Sequence, residues 1–286
     1  MDGSDAAGFT VFCFPTGEAA WVPADIELKL PEITQLAVPD AHYLIYIPWH
    51  DQYLDRVDPA WRDFFRLVLP YLHARSTDIH VMTCLPFIQD LTLAVGEPMD
   101  ERVVRIAFIL HDAGWSQMSD LEIAHSLGVQ GLSLSGKALD PKARHALLGE
   151  QLALQILDQH PLDPPLSEAQ KKWIGQAILF HDKPWELAVG GDISVGMKIV
   201  CDVDHLWSFT HPNFWQDTLR KKVEPVLYLQ NLGRDLEGYF VTPAGRSRAH
   251  QLLELRREEV NAWQEWALSH PLHASGGAGT LPGSGK

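Results

Sequence analysis

The stretch "RIAFILHDAGW", residues 105–115, ends an unbroken apolar run with two ionisable residues side by side. Ile106, Ala107, Phe108, Ile109 and Leu110 read as a helix that is apolar on most sides and therefore central. His111 and Asp112 then carry an imidazole and a carboxylate straight out of the core. Burying either without a partner costs several kcal/mol. Any fold of this chain must bring compensating groups to this point.

The surrounding pattern is helical from Asp58 onward. "DPAWRDFFRLVLPYLHAR" opens with an Asp cap and a first-turn Pro, followed by apolar residues at helical spacing. "STDIHVMTCLPFIQDLTLAVG" continues it, with Pro86 placed to kink the helix. "DPKARHALLGEQLALQILDQH", "SEAQKKWIGQAILFHD" and "VGMKIVCDVDHLWSF" are further helical segments, and a polar-faced helix near residues 243–268 closes the fold. Before residue 55 the pattern differs: "FTVFCFPTGEAAWVP" reads as a small hairpin around a Pro-Thr-Gly turn. The expectation is an all-α protein. Residues 1–55 form a small N-terminal appendage or flap, 56–270 the helical domain, and 271–286 a Gly/Ser-rich disordered tail.

Composition narrows the function classes. The formal charge is −14, from 37 acids against 23 bases, so the basic footprint of a nucleic-acid binder is absent. Cys13, Cys84 and Cys201 are sparse and form no CxxC, as expected of reduced thiols in a cytoplasmic protein. "MDGSDAAGFTVF" has neither a positive n-region nor a long apolar h-region, so no secretory signal is expected. No run of 18 apolar residues predicts a membrane span.

His111 and Asp112 are not alone on the apolar stripes. Residues at i, i+3, i+4 and i+7 share a helix face. His80 leads a stripe through Cys84, Phe87 and Leu91. His145 sits on the stripe of Leu148 and Leu152, and His181 continues Ile174, Ala177 and Ile178. Asp204 lies beside Val200, Val203 and Trp207. A single core histidine is more often hydrogen-bonded to a backbone carbonyl than bound to metal. Several together, with carboxylates, are satisfied at once by a cation. The lack of Cys in the set argues against a structural zinc cluster, and mixed N/O ligation favours Fe, Mn, Zn, Co or Mg in a reactive site. His50 is a candidate substrate contact and Asp202 a backup ligand. His205 points roughly 100° away from Asp204.

These residues, in this order, resemble the HD superfamily of metal-dependent enzymes. Its pattern of a first His, an adjacent His-Asp pair and a late Asp is matched by His80, His111 with Asp112, and Asp204. Two-metal members add two histidines between the pair and the last Asp, where His145 and His181 stand. The resemblance covers roughly residues 58–210. It implies an HD-type helical bundle around two divalent metal ions, iron first among them. His80, His111, Asp112 and Asp204 would hold one ion, His145 and His181 would complete the second, and Asp112 would bridge. Many members carry Lys or His three residues after the Asp of the pair. Here that residue is Trp115, which stacks and donates one hydrogen bond but has no charge. Lys183 and Arg144 are the candidates to supply a positive charge at the substrate.

The resemblance implies a phosphohydrolase acting on a nucleotide or other small phosphorylated metabolite, with Asp112 as its catalytic carboxylate. The alternative it carries is a mixed-valent di-iron oxygenase cleaving C–C or C–P bonds. The phosphonate-cleaving branch has a Tyr and a Glu shortly before the first His. Tyr71 matches the former, but no Glu occurs between Glu32 and Glu97. A metal-free helical domain would need every one of the six to find a chance partner. The expected partner is a small molecule, with no nucleic acid and no membrane.

Overall fold

The computed structural model describes residues 8–30, 44–126, 140–189 and 193–272. They are mostly helical, as the periodicity predicts. A hairpin comes first, β1 (Phe9–Cys13) antiparallel to β2 (Ala19–Pro23), with Phe9 opposite Pro23 and Cys13 opposite Ala19. The helices follow as α1 (Pro59–Val68), α2 (Thr77–Cys84), α3 (Phe87–Val95), α4 (Glu101–Leu110), α5 (Asp120–Ser126) and α6 (Pro141–Gln159). Then come α7 (Glu168–Phe180), α8 (Pro184–Val189), α9 (Val195–Leu206), α10 (His211–Arg220), α11 (Pro225–Tyr239) and α12 (Pro243–Ser269). The tail reading falls on residues of which all but 271 and 272 lie outside the described ones.

Local chemistry sets the helix ends. The Asp58 carboxylate accepts the Ala60 N–H at 2.9 Å and Pro59 opens α1. Asp100 accepts from the Val103 N–H to start α4. Ser167 and Gln170 form a reciprocal capping box on α7. At Pro86 the expected kink interrupts the hydrogen-bond ladder: α2 ends at Cys84 and α3 starts at Phe87, while Leu85 and Pro86 between them keep right-handed helical dihedrals. The ring cannot donate and blocks the preceding turn.

The centre is α4. Val103, Val104, Ile106, Phe108, Ile109 and Leu110 are all buried, each worth about 1.5–3 kcal/mol. The helix packs against α3, α7 and α9, so its C-terminal end is delivered to the middle of the bundle. A turn over Ala113–Gln117 follows and lies against α6. That approach requires glycine: a Cβ on Gly114 would sit 2.0 Å from the His145 carbonyl oxygen and 2.5 Å from the Gly149 nitrogen.

The hairpin docks on the far end of the chain. Phe9 packs edge-on to Trp215 and near Trp266, and the Trp21 indole donates to the His270 carbonyl. Phe14, Val22, Ile45 and Leu219 make a small separate core beneath it. Glu259 ties α12 to α10, accepting from the Trp215 indole at 2.9 Å and pairing with His211 and Arg256. No described helix is long and apolar enough to cross a membrane.

Gly114→Ala must displace backbone on α6 and should cost about 3 kcal/mol. Gly238→Ala, inside α11 with open space around it, should be neutral or stabilise by about 1 kcal/mol in the same urea melts. Burial raises the Glu259 carboxyl, but His211, Arg256 and Trp215 pull it net below its ordinary 4.5. Its contribution is therefore present above pH 4.5 and lost as pH falls through the lowered value. Glu259→Gln should cost about 1–2 kcal/mol at pH 7, and the gap to wild type should shrink steadily below pH 4.5.

Candidate metal centre

Five segments of the bundle converge. His80 comes from the middle of α2, His145 from the first turns of α6 and Asp204 from the end of α9, while His111 and His181 directly follow the last residues of α4 and α7. All four histidines are buried, between 0 and 4% exposed. Placement at a helix end has a use. Carbonyls in the last turn of a helix keep acceptor capacity to spare, and the ring of each His turns back to use one. His111 Nδ1 donates to the Phe108 carbonyl at 2.6 Å and His181 Nδ1 to the Ile178 carbonyl at 2.5 Å. That fixes each tautomer and leaves Nε2 facing inward, the arrangement a metal-ligating imidazole needs.

Asp112 sits between two sets of these rings. Its Oδ2 is 3.4 Å from His80 Nδ1 and 3.5 Å from His111 Nε2. Its Oδ1 is 3.4 Å from His145 Nε2 and 3.6 Å from His181 Nε2. Asp204 Oδ1 closes the first set, 3.3 Å from His111 Nε2 and 3.5 Å from His80 Nε2. Ligand-type atoms of His80, His111, Asp112 and Asp204 lie within 4.8 Å of one another, as do those of Asp112, His145 and His181. The two groups share Asp112, one oxygen toward each.

The spacing fits cations better than hydrogen bonds. Charge-assisted N–H···O bonds run at about 2.7–2.9 Å, whereas two ligands on one ion with bonds of about 2.0–2.2 Å stand roughly 3.0–3.5 Å apart. His80 Nε2 is buried and has no hydrogen-bond partner. His145 Nε2 faces His181 Nε2 at 3.1 Å, although the fixed His181 tautomer presents a lone pair there. A cation takes both lone pairs. The electrostatics agree. Burial opposes charge on Asp112 and Asp204, yet the histidines win: Asp112 is held far below the carboxylate range, and Asp204 is lowered to about 2. Burial likewise opposes a proton on His111, but the two carboxylates raise it to about 9. On His80 and His145 burial dominates and favours the neutral ring.

Aromatic walls enclose the cluster. Trp207 stacks on His80 with centroids 5.0 Å apart, and Trp115 stacks on His145 at 4.1 Å. The Trp115 indole also donates to Asp112 Oδ1 at 3.0 Å, so it braces the shared carboxylate. On its ring rests Arg75, with Cζ 4.2 Å from the centroid. The rings and carboxylates line a cavity of about 310 Å³ together with Arg75, Thr77, Lys142, Asn213, Asp217 and Arg220, among others.

The other sequence candidates sit elsewhere. Arg144 pairs with Glu122, and Lys183 faces Glu186 and lines a neighbouring cavity rather than this one. His50 pairs with Glu27 at an exposed position. Asp202 accepts the Val241 and Thr242 N–H groups and the Thr242 hydroxyl, fastening the start of α12 rather than facing the cluster. Asp182, Asp204 and His205 form a third close group, but Lys142 at 3.0 Å and His205 at 3.6 Å already neutralise Asp182. Sequence reading missed Arg75 and Lys142. It also missed that "AFILHDAGW" and "AILFHDKPW" are two versions of one helix ending, a signal readable by eye. No family model, no curated protein and no solved structure matches this chain.

The two aspartates of α9 and the shared aspartate separate site from scaffold. Asp112→Ala should lose bound metal and melt lower after reconstitution without a histidine tag. Asp202→Asn should melt lower by about 2–3 kcal/mol of stability yet keep the full metal content. Equal metal content in wild type and Asp112→Ala would remove Asp112 from the ligand set.

Proposed function

We propose that this chain is an HD-type phosphohydrolase with two metal sites, acting on a small phosphorylated molecule. One observation carries the reading: two buried ligand groups that share the Asp112 carboxylate, one oxygen each. Divalent ions bound by these two groups would supply Lewis-acid activation of water and a clamp on the phosphoryl oxygens.

The chain's own residues do the rest. His80, His111, Asp112 and Asp204 would hold one ion and His145, His181 and Asp112 the other. The Phe108 and Ile178 carbonyls keep the His111 and His181 rings aimed. The Trp115 indole keeps Asp112 from rotating out of its shared position. Trp115 and Trp207 exclude water from the ring faces they cover. The cavity volume suits a small molecule rather than a polymer. Tyr71, the one residue that matches the oxygenase alternative before the first His, lies in the turn after α1 and outside the cavity lining.

The test is a substrate screen of protein reconstituted separately with Fe²⁺, Mn²⁺, Co²⁺ and Zn²⁺. Release of inorganic phosphate from nucleotides or phosphomonoesters, abolished by Asp112→Ala, is the expected result. Substrate-dependent oxygen consumption with a mixed-valent iron signal, and no phosphate release from those esters with any metal, would overturn it.

A further inference from the structure

Arg75 is the one cation of the ligand cavity without an acid or carbonyl at its head group among the described residues. Lys142 pairs with Asp182, and Lys221 with Asp217. Arg220 donates to the Ile45 and Arg75 carbonyls and faces Asp217. The Arg75 guanidinium has only the Trp115 ring beneath it, and its Nε is buried with no hydrogen-bond partner. A guanidinium remains charged under these conditions and offers five donors. The unmatched buried Nε–H is costly, and the half-buried head group leaves its other donors for an acceptor in the cavity.

The backbone that presents it is held in an uncommon conformation. Arg75 and Ser76 both have left-handed φ, 60° and 63°, a conformation that is strained for a non-glycine residue. Neighbouring segments enforce the turn. The Ser76 hydroxyl accepts the Ile47 N–H at 2.9 Å and the Gln216 amide at 3.2 Å, and the Arg75 carbonyl accepts from Arg220. Three elements therefore converge to aim one side chain over Trp115. Trp115 in turn touches both Asp112 and His145, so the guanidinium lies one ring away from the second ligand group.

We propose that Arg75 is the anion anchor of this site, its planar fork binding two oxygens of the substrate's phosphate group while the ligand cluster engages the same group. The identification of phosphate rests on the phosphohydrolase reading; the free donor fork does not. Arg suits the role where Lys would not, because two parallel N–H groups match two oxygens of one tetrahedral anion. The arrangement also supplies the positive charge that Trp115, at its own position, lacks.

The experiment measures binding of inorganic phosphate to the metal-reconstituted full chain by calorimetry, for wild type, Arg75→Lys, Arg75→Gln and Arg75→Gly. Wild type should bind, Arg75→Gln should bind at least about tenfold more weakly, and Arg75→Lys should fall between them. Metal content should be equal in all four. Arg75→Gly should lose phosphate binding as Arg75→Gln does while melting no lower than wild type, because glycine adopts this φ without strain. A purely structural Arg75 would lower the melting temperature and leave phosphate affinity unchanged, which overturns the proposal. A metal-loaded wild type that binds no phosphate overturns it too. The two readings fail separately. Phosphate binding that depends on Arg75, without hydrolysis of any phosphoester, sinks the hydrolase and keeps the anchor. Hydrolysis by Arg75→Gln at the wild-type KM sinks the anchor and keeps the hydrolase.

Discussion

The Asp112 carboxylate is the constraint on which this bundle depends. It is buried among four imidazoles, with no Lys or Arg of the described residues within ion-pair distance. Nothing in an apolar bundle compensates such a group cheaply. Protonated histidines could do so only by placing several like charges within a few ångströms of one another. His145 and His181 already face each other at 3.1 Å. Neutral imidazoles around a cation would resolve the conflict, because every ring would then offer a lone pair and the carboxylates would supply the balancing charge. The fold serves this arrangement by keeping α4 central and short, so that the His-Asp pair emerges where five segments meet.

The way the rings are aimed explains why two of the four histidines stand just past a helix end. A mid-helix His has its neighbouring carbonyls already engaged. At a C-terminus the carbonyl three residues back keeps spare acceptor capacity, and using it fixes the ring at no cost to the helix ladder. The endings of α4 and α7 use the same solution with nearly the same letters. Their aspartates then diverge: Asp112 enters the cluster, while Asp182 turns to Lys142 and His205. The shared local motif fixes the histidine, and the packing beyond it decides the carboxylate.

Most helices between α1 and α9, and α12, were legible because their apolar stripes keep the 3.6-residue period. The same stripes exposed His80, His145, His181 and Asp204 as polar residues facing inward. The segment holding α10 and α11 was not readable in this way. Its apolar face is made of Phe214, Trp215 and Leu219 interleaved with Gln216, Asp217, Thr218 and Arg220, all buried. Ile45, Tyr228 and the Trp215 carbonyl each bond one or more of those polar residues, and no local pattern announces such partners. Asp202 misled for the same reason. It looks like a ligand beside Asp204, but its acceptors are used by a helix start about forty residues later.

Trp115 shows how a departure in sequence can be made good in space. In "HDAGW" the residue three places after the Asp is uncharged, and the sequence candidates for a cation beside it are Arg144 and Lys183. Both are held by glutamates of their own. The charge comes instead from Arg75, before α2, through a left-handed turn that residues on two other segments hold in place. An indole is well suited to that role. Its N–H steadies the shared carboxylate, while its face carries a guanidinium without neutralising it. A Lys or His at 115 would put its charge directly beside Asp112 and compete with cations for it. Moving the charge one ring outward leaves the carboxylate free for metal and the positive fork free for an anion.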